Sequence, residues 1–144
     1  MKVFADTSVL VAAMVKAHPH HARAFPWLSK ARQHSIELVV ATHTLAELYA
    51  VLTSLPVQPR IAPGAARRLI RADIEEMASV VALSKSDYVA VLDTMSELGL
   101  SGGVIYDALA ARVAARARAE KLLTLNPRDF RRVWPEGDAI ICEP

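Results

Sequence analysis

Cysteine is almost absent from this chain: Cys142 is the only one among 144 residues. No disulfide can form within it, and no cysteine-based zinc motif exists. That fits a reducing compartment. Long apolar runs are missing too; none approaches the roughly 18 residues that a membrane span requires. The first residues lack the charged, apolar and small-residue pattern of an export signal. The reading therefore expects a soluble, cytoplasmic protein with no membrane partner. Charge of one sign is also scarce, with 17 Lys and Arg against 15 Asp and Glu, a formal net charge of +2. Such a balance leaves a polyanionic partner open without strong non-specific binding. No Gly-rich phosphate loop appears, and no Gly-x-Ser-x-Gly turn marks a hydrolase nucleophile.

What the chain has in quantity is apolar residues, 53% of the total. That excludes disorder and supports one domain over residues 1–144. Short apolar runs alternate with helical patterns. Strands are predicted at 2–5, 36–41, 79–83, 121–124 and 139–142. Helices are predicted at 8–15, 20–32, 43–54, 65–77, 87–98 and 104–119, with a short one from Asn126-Pro127 to Arg132. Pro26 opposes the second of these, because its ring crowds the preceding turn. The alternation predicts an α/β fold whose mostly parallel sheet of four to five strands carries helices on both faces.

Acids stand at the junctions. Asp6 ends the first apolar run, at the carboxyl edge of a strand, where open parallel sheets bind ligands. It would also serve as a helix N-cap. Glu47 lies just beyond the second strand. Thr44-Leu45-Ala46-Glu47 fits a capping box, which offers a purely local role. Asp107 has Gly103, Val104, Ala110 and Ala111 as its helical neighbours, so no local ion pair explains it. Asn126 and Asp129 follow the fourth strand; Asn126 as N-cap, Pro127 at N1 and Asp129 at N3 would make an orderly helix start. Each position has a bland explanation, but one bland explanation does not cover them all. Packed together without a cation, these acids would repel and raise one another's pKa. Mg²⁺ or Mn²⁺ would relieve that, with Asp6 and Asp107 as metal ligands, and would activate water against a phosphodiester.

At these residues the chain resembles the PIN-domain nucleases, and among them the VapC-like toxins of type II toxin–antitoxin pairs. The pieces that carry the likeness are Val3-Phe4-Ala5-Asp6-Thr7-Ser8, Thr44-Leu45-Ala46-Glu47-Leu48, Tyr106-Asp107-Ala108-Leu109-Ala110-Ala111 and Leu123-Thr124-Leu125-Asn126-Pro127-Arg128-Asp129-Phe130. The resemblance spans residues 2–132. It implies an α/β/α sandwich and a Mg²⁺- or Mn²⁺-dependent endoribonuclease, with RNA as substrate, a cognate antitoxin as protein partner and a homodimer as the assembly. It implies that Asp6, Glu47 and Asp107 are the catalytic acids and that Ser8 is the hydroxyl beside the first. Asn126 stands where many relatives have Asp, and Asp129 follows three residues on, so both are candidates for the fourth position.

Other features read more plainly. His18-Pro19-His20-His21 is expected to be a solvated turn rather than a zinc site. Arg112, Arg116, Arg118 and Lys121 suit the negative end of their helix. Trp27 and Trp134 are expected to pack. Two competing functions are weighed: a PIN-fold binding module without turnover, and a phosphatase forming an aspartyl-phosphate on Asp6. The phosphatase would want a second Asp two residues on, where Ser8 stands.

Overall fold

The computed structural model describes residues 1–144. Five strands form one sheet in the order β3-β2-β1-β4-β5. They are β1 (Lys2–Ala5), β2 (Glu37–Ala41), β3 (Ser79–Val81), β4 (Lys121–Leu123) and β5 (Ile141–Cys142). Every pairing is parallel, so the sheet is wholly parallel where a mostly parallel one was expected.

The period of two along each strand assigns its side chains to two cores. Val3, Ala5, Leu38, Val40 and Leu123 face α1 (Thr7–Met14), α2 (His21–Arg32), α3 (Thr42–Ser54) and α4 (Pro63–Ile70). Phe4, Val39, Ala41, Leu122 and Ile141 face the other way. They pack on α5 (Lys85–Glu97), α6 (Val104–Ala117) and α7 (Pro127–Val133). Central strands buried on both faces must be apolar throughout, which is why they read as continuous runs. Two walls of helices and a middle sheet make the α/β/α sandwich.

Some boundaries differ from the prediction for physical reasons. β2 passes straight into α3, which starts at Thr42. Thr44 is therefore inside the first turn and buried, and it caps nothing. The capping box expected at Thr44–Glu47 is absent. The chain's real one is Ser84–Asp87 at the start of α5, with both reciprocal bonds present. α2 runs unbroken through Pro26, because buried Ala24, Leu28 and Ala31 hold it against the first core. The helix expected at 65–77 is shorter, and its path continues as a π-turn over Arg71–Glu75. That turn buries Asp73, which Arg32 of α2 reaches as an ion pair.

The chain builds β1, β2 and β3 outward on one side, then returns to place β4 on the opposite side of β1. Connections leave β1 and β4 in opposite directions. The carboxyl ends of these two strands thus flank a topological switch point, the expected position for a ligand cleft.

Candidate active site at the carboxyl edge of the sheet

A cleft of about 450 Å³ opens at that switch point. Asp6, Ser8, Glu47, Asp107 and Asn126 all line it, with Thr7, Val11, His18, Val51, Leu55, Gly103, Tyr106 and Leu125. Five of the six residues expected at a site are therefore brought to one place from four elements. Asp129 is the exception: it sits in the first turn of α7 and does not line the cleft.

Asp6 follows β1 directly. Its backbone N–H donates to Leu123 O at 2.9 Å, extending the pairing of β1 with β4. It occupies the N-cap position of α1, but its side chain makes no capping bond. The carboxylate instead takes two hydroxyl bonds on one oxygen, Oδ2: Ser8 Oγ donates at 2.8 Å and Thr124 Oγ1 at 3.2 Å. Each hydroxyl is in turn pinned from behind. Leu125 N–H donates to Ser8 Oγ at 3.1 Å, and Asn126 N–H donates to Thr124 Oγ1 at 2.9 Å. Both hydroxyl oxygens are engaged as acceptors, so their protons are directed at Asp6. The loop after β4 thus holds an acid after β1 in one orientation. Thr124 was not a predicted site residue. It is fully buried at the end of an apolar strand, and its contact with Asp6 spans 118 residues.

Glu47 projects from the second turn of α3. His43 lies one turn earlier, with Nε2 at 3.2 Å from Glu47 Oε1. The His43 ring is half-buried, and that burial lowers its pKa against an opposing pull from Asp6. A hydrogen bond from Thr7 opposes the rise of the Glu47 pKa. His43 also escaped the sequence reading, although its i,i+4 spacing to Glu47 was available. Asp107 sits in the first turn of α6. No Lys or Arg forms a salt bridge with Asp6, Glu47 or Asp107; the nine ion pairs of the molecule lie elsewhere, apart from His43–Glu47.

The electrostatic result is uniform in sign. Burial pushes the Asp6 carboxyl up, while the Ser8 and Thr124 hydroxyls partly hold it down. Burial and the Asp6 charge raise Glu47. Asp107 is raised to about 7 by burial first, then by the charges of Asp6, Asp129 and Glu47. Asp129 thus acts on the site through space, although its own carboxylate turns toward Arg132 at 3.5 Å. Asn126 also lacks a side-chain capping bond on α7, so the N-cap explanation for it does not hold.

No three His, Cys, Asp or Glu side chains close tightly enough to enclose an ion by themselves. A preformed cage of the zinc kind is absent. The donor set is hard oxygen from carboxylates, a hydroxyl and an amide, on an open cleft. That set fits Mg²⁺ or Mn²⁺, which binds through one or two carboxylates with water and substrate oxygens completing the shell. The His18–His21 segment forms a turn; His20 N–H donates to His18 Nδ1 at 3.0 Å, and His21 Nδ1 lies 2.9 Å from Ala12 O. Those contacts tie one ring nitrogen each of His18 and His21 into the turn, and His18 also borders the cleft.

The chain has relatives among known proteins. The chain is 36% identical over 126 residues to a Mycobacterium tuberculosis protein named Ribonuclease VapC27, covering 88% of this chain and 83% of that one. It is 38% identical over 128 residues to Ribonuclease VapC40 of the same species, covering 89% and 87%. Two solved structures share the fold at low identity. VapBC2 from Rickettsia felis, bound to a fragment of promoter DNA, superposes with a TM-score of 0.66 at 18% identity over 100% of this chain and 99% of that one. The Mycobacterium tuberculosis toxin VapC20, which cleaves the sarcin–ricin loop, gives 0.65 at 16% over 83% and 86%. The family profile of the PIN domain matches residues 3–134. The chain belongs to the PIN-domain family.

Proposed function

We propose that this protein is a divalent-metal-dependent endoribonuclease and the toxin of a toxin–antitoxin pair. The observation that carries the reading is the cleft itself: three acids converge at the switch point with no Lys or Arg to neutralise them, and burial, followed by the neighbouring charges, raises Asp107 to about 7. The curated relatives named as VapC ribonucleases support the same chemistry.

Asp6 and Asp107 would hold Mg²⁺ or Mn²⁺. When bound, that cation supplies charge stabilisation at the phosphodiester and eases ionisation of the attacking water. The chain's own residues do the rest. Ser8 and Thr124 keep Asp6 oriented, so no reorganisation is needed as charge develops. Glu47, raised in pKa and steadied by His43, accepts the proton of the water that attacks phosphorus. The P–O bond to the leaving nucleotide then breaks, and the departing oxygen takes a proton from solvent to leave as a hydroxyl. Asn126 lines the cleft as a neutral polar group, and Asp129 adds negative potential from outside it.

The excess negative charge of the cleft also suits a cationic protein segment. An antitoxin would enter it with Arg or Lys, an Arg fork being the better match for carboxylates. The VapBC2 complex supports a partner of this kind. A homodimer is part of the proposal, with exposed Tyr88, Val89 and Leu92 on α5 as apolar surface available for it. No helix is long and apolar enough to cross a membrane, which is compatible with a cytoplasmic site of action.

A PIN-fold binding module with little turnover is the second reading. Asn126 favours it, because the cleft has an amide where a fourth acid would strengthen metal binding. Incubating the protein with a pool of structured RNAs in Mg²⁺, Mn²⁺ or EDTA separates the two. Metal-dependent internal cleavage is expected; full cleavage after exhaustive chelation excludes the mechanism, and intact RNA under all three conditions selects the binding module.

A further inference from the structure

The acids of the cleft act on a phosphate, and none of them is suited to hold a base. Tyr106 is. Nine large hydrophobic side chains remain exposed in this protein, and Tyr106, at 55%, is the only one of them that lines the acid cleft. It immediately precedes Asp107 on the first turn of α6, so one helical turn fixes the ring and the carboxylate together. The His43 ring stands beside it, with centroids 6.5 Å apart and planes tilted by 49°. That edge contact limits where the tyrosine ring can swing. Gly103, just before the helix, lines the same cleft, and a methyl group there would meet no atom within 4 Å. Val11, Val51 and Leu55 add apolar lining to the same cleft.

We propose that Tyr106 is a stacking platform for a base of single-stranded RNA, seating the nucleotide next to the phosphate on which the acids act. This rests on the nuclease reading above. Every base has a π-face, so the platform raises affinity with little sequence preference. It makes Tyr106 a positioning residue: it fixes a nucleotide, and through it the scissile phosphate.

The test uses a fluorescently labelled oligouridine of about twelve nucleotides and an abasic oligomer of equal length and charge, both with Mg²⁺. Binding is followed by anisotropy in the Asp6→Asn protein, so that the RNA survives. Replacing Tyr106 with Leu is expected to weaken oligouridine binding roughly 5- to 100-fold. The abasic oligomer, lacking bases, is expected to lose almost nothing. Tyr106→Phe keeps the ring and is expected to remain within about twofold of the parent. In the protein with Asp6 intact, Tyr106→Leu raises KM more than it lowers kcat. Equal losses for both oligomers, or for Phe and Leu, overturn the platform. So does a loss of antitoxin binding with RNA binding unmoved, which makes the ring a protein contact. Cleavage by Asp6→Asn at the parental rate strikes the nuclease reading instead, and leaves ring-dependent binding as a separate result.

Discussion

One helix, α6, faces two acids that live in opposite circumstances. Near its middle, Arg112 Nε reaches Asp87 Oδ1 at 3.0 Å, and Arg116 adds bonds at 2.5 and 2.6 Å. Asp87 also takes the Ser84 backbone N–H and hydroxyl, each at 2.9 Å. Its side chain is 1% exposed, yet its carboxyl is held well below the usual range, the Ser84 backbone bond being the leading cause. At the N-terminal end of the same helix, Asp107 has no cation and is pushed to about 7. Both are acids set among helices. The difference is that Asp87 has had its charge answered by the fold, whereas Asp107 and Asp6 have not. An answered acid ties α5 to α6. An unanswered set of acids leaves a demand for positive charge that only a ligand can meet.

The sharpest way to break this contrast is to remove charge from the unanswered side. Asp6→Asn and Asp107→Asn are each expected to lower RNA cleavage by roughly 100-fold or more, since each would withdraw a ligand of the proposed metal ion. Folding should be kept or improved, because mutual repulsion is relieved. Metal-dependent cleavage rates and thermal melts of the same preparations check both halves. Parental cleavage in both variants would sink the metal site, and a large fall in melting temperature in both would return these acids to a structural role.

The answered side predicts the reverse. Asp87→Asn strands Arg112 and Arg116 and removes the N-terminal capping partner of α5. A clear loss of thermal stability is expected, with cleavage per folded molecule retained. The pH dependence follows the same division. The Asp87 carboxyl is depressed in the folded state, so its stabilisation is complete above the unfolded value near 4 and disappears as pH falls below it. Asp107 is raised, so the folded state holds a proton that the unfolded state has lost between about 4 and 7. Stability of the metal-free protein should therefore decline as pH rises through that window. Asp107→Asn shallows the decline, leaving the part that Asp6 and Glu47, also raised, contribute, and is expected to stabilise the metal-free protein at pH 8 by on the order of 1–2 kcal/mol. Melting curves across pH, with parent and variant side by side, measure it; identical pH slopes would mean that Asp107 titrates normally.

Adding metal should close part of the gap between the two sides. A cation that binds only the folded cleft stabilises it by about 2.7 kcal/mol at one hundred times its dissociation constant. The increment should appear in the parent and in Asp87→Asn, and shrink in Asp6→Asn. Differential melting in Mg²⁺ and EDTA decides this, and an equal increment in all three proteins would place the cation elsewhere.

The comparison also explains what the sequence could reveal. The alternation of buried strands with helices is a local signal: Val3 to Ala5, Leu38 to Ala41 and Leu122-Leu123 each read as strand without help, whereas their order in the sheet rests on long-range pairing. Asp6 was legible because it terminates such a run, and Asp107 because its helix neighbours offer no partner. The answers to charge are long-range and were not legible. Arg112 and Arg116 meet Asp87 across 25 and 29 residues, so these arginines read only as helix-end cations. Thr124 meets Asp6 across 118 residues, and nothing local marks a threonine at a strand end as its support. The capping-box alternative for Glu47 failed for a different reason. Thr-x-x-Glu is the capping-box pattern, but the N-cap of α3 is Ala41, three residues before Thr44, while Ser84-x-x-Asp87 makes the box with a less usual acid.

Asn126 and Asp129 separate the cleft from its surroundings most finely, and carry the smallest expected effects. Asn126 lines the cleft and makes no side-chain cap on α7. Asn126→Asp should therefore cost little stability through capping. It places a fourth charge among three that already repel, so the metal-free protein should melt lower while metal binds more tightly, and the Mg²⁺ optimum should shift down. Asp129 is outside the cleft and pairs loosely with Arg132, yet its charge is the second-largest electrostatic push on Asp107, after that of Asp6. Asp129→Asn should lower the Asp107 pKa. Its cost in stability, from a lost acid in the first turn of α7, is expected to be no more than about 1 kcal/mol. If Asp129 acts only through space, metal affinity falls modestly and the cleavage rate stays close to the parent's. If it bends into the cleft as a ligand, both fall together and steeply, as with Asp107→Asn. Metal titrations of the two variants, read beside their cleavage rates, distinguish these outcomes. Unchanged titrations in both would confine the site to Asp6, Glu47 and Asp107.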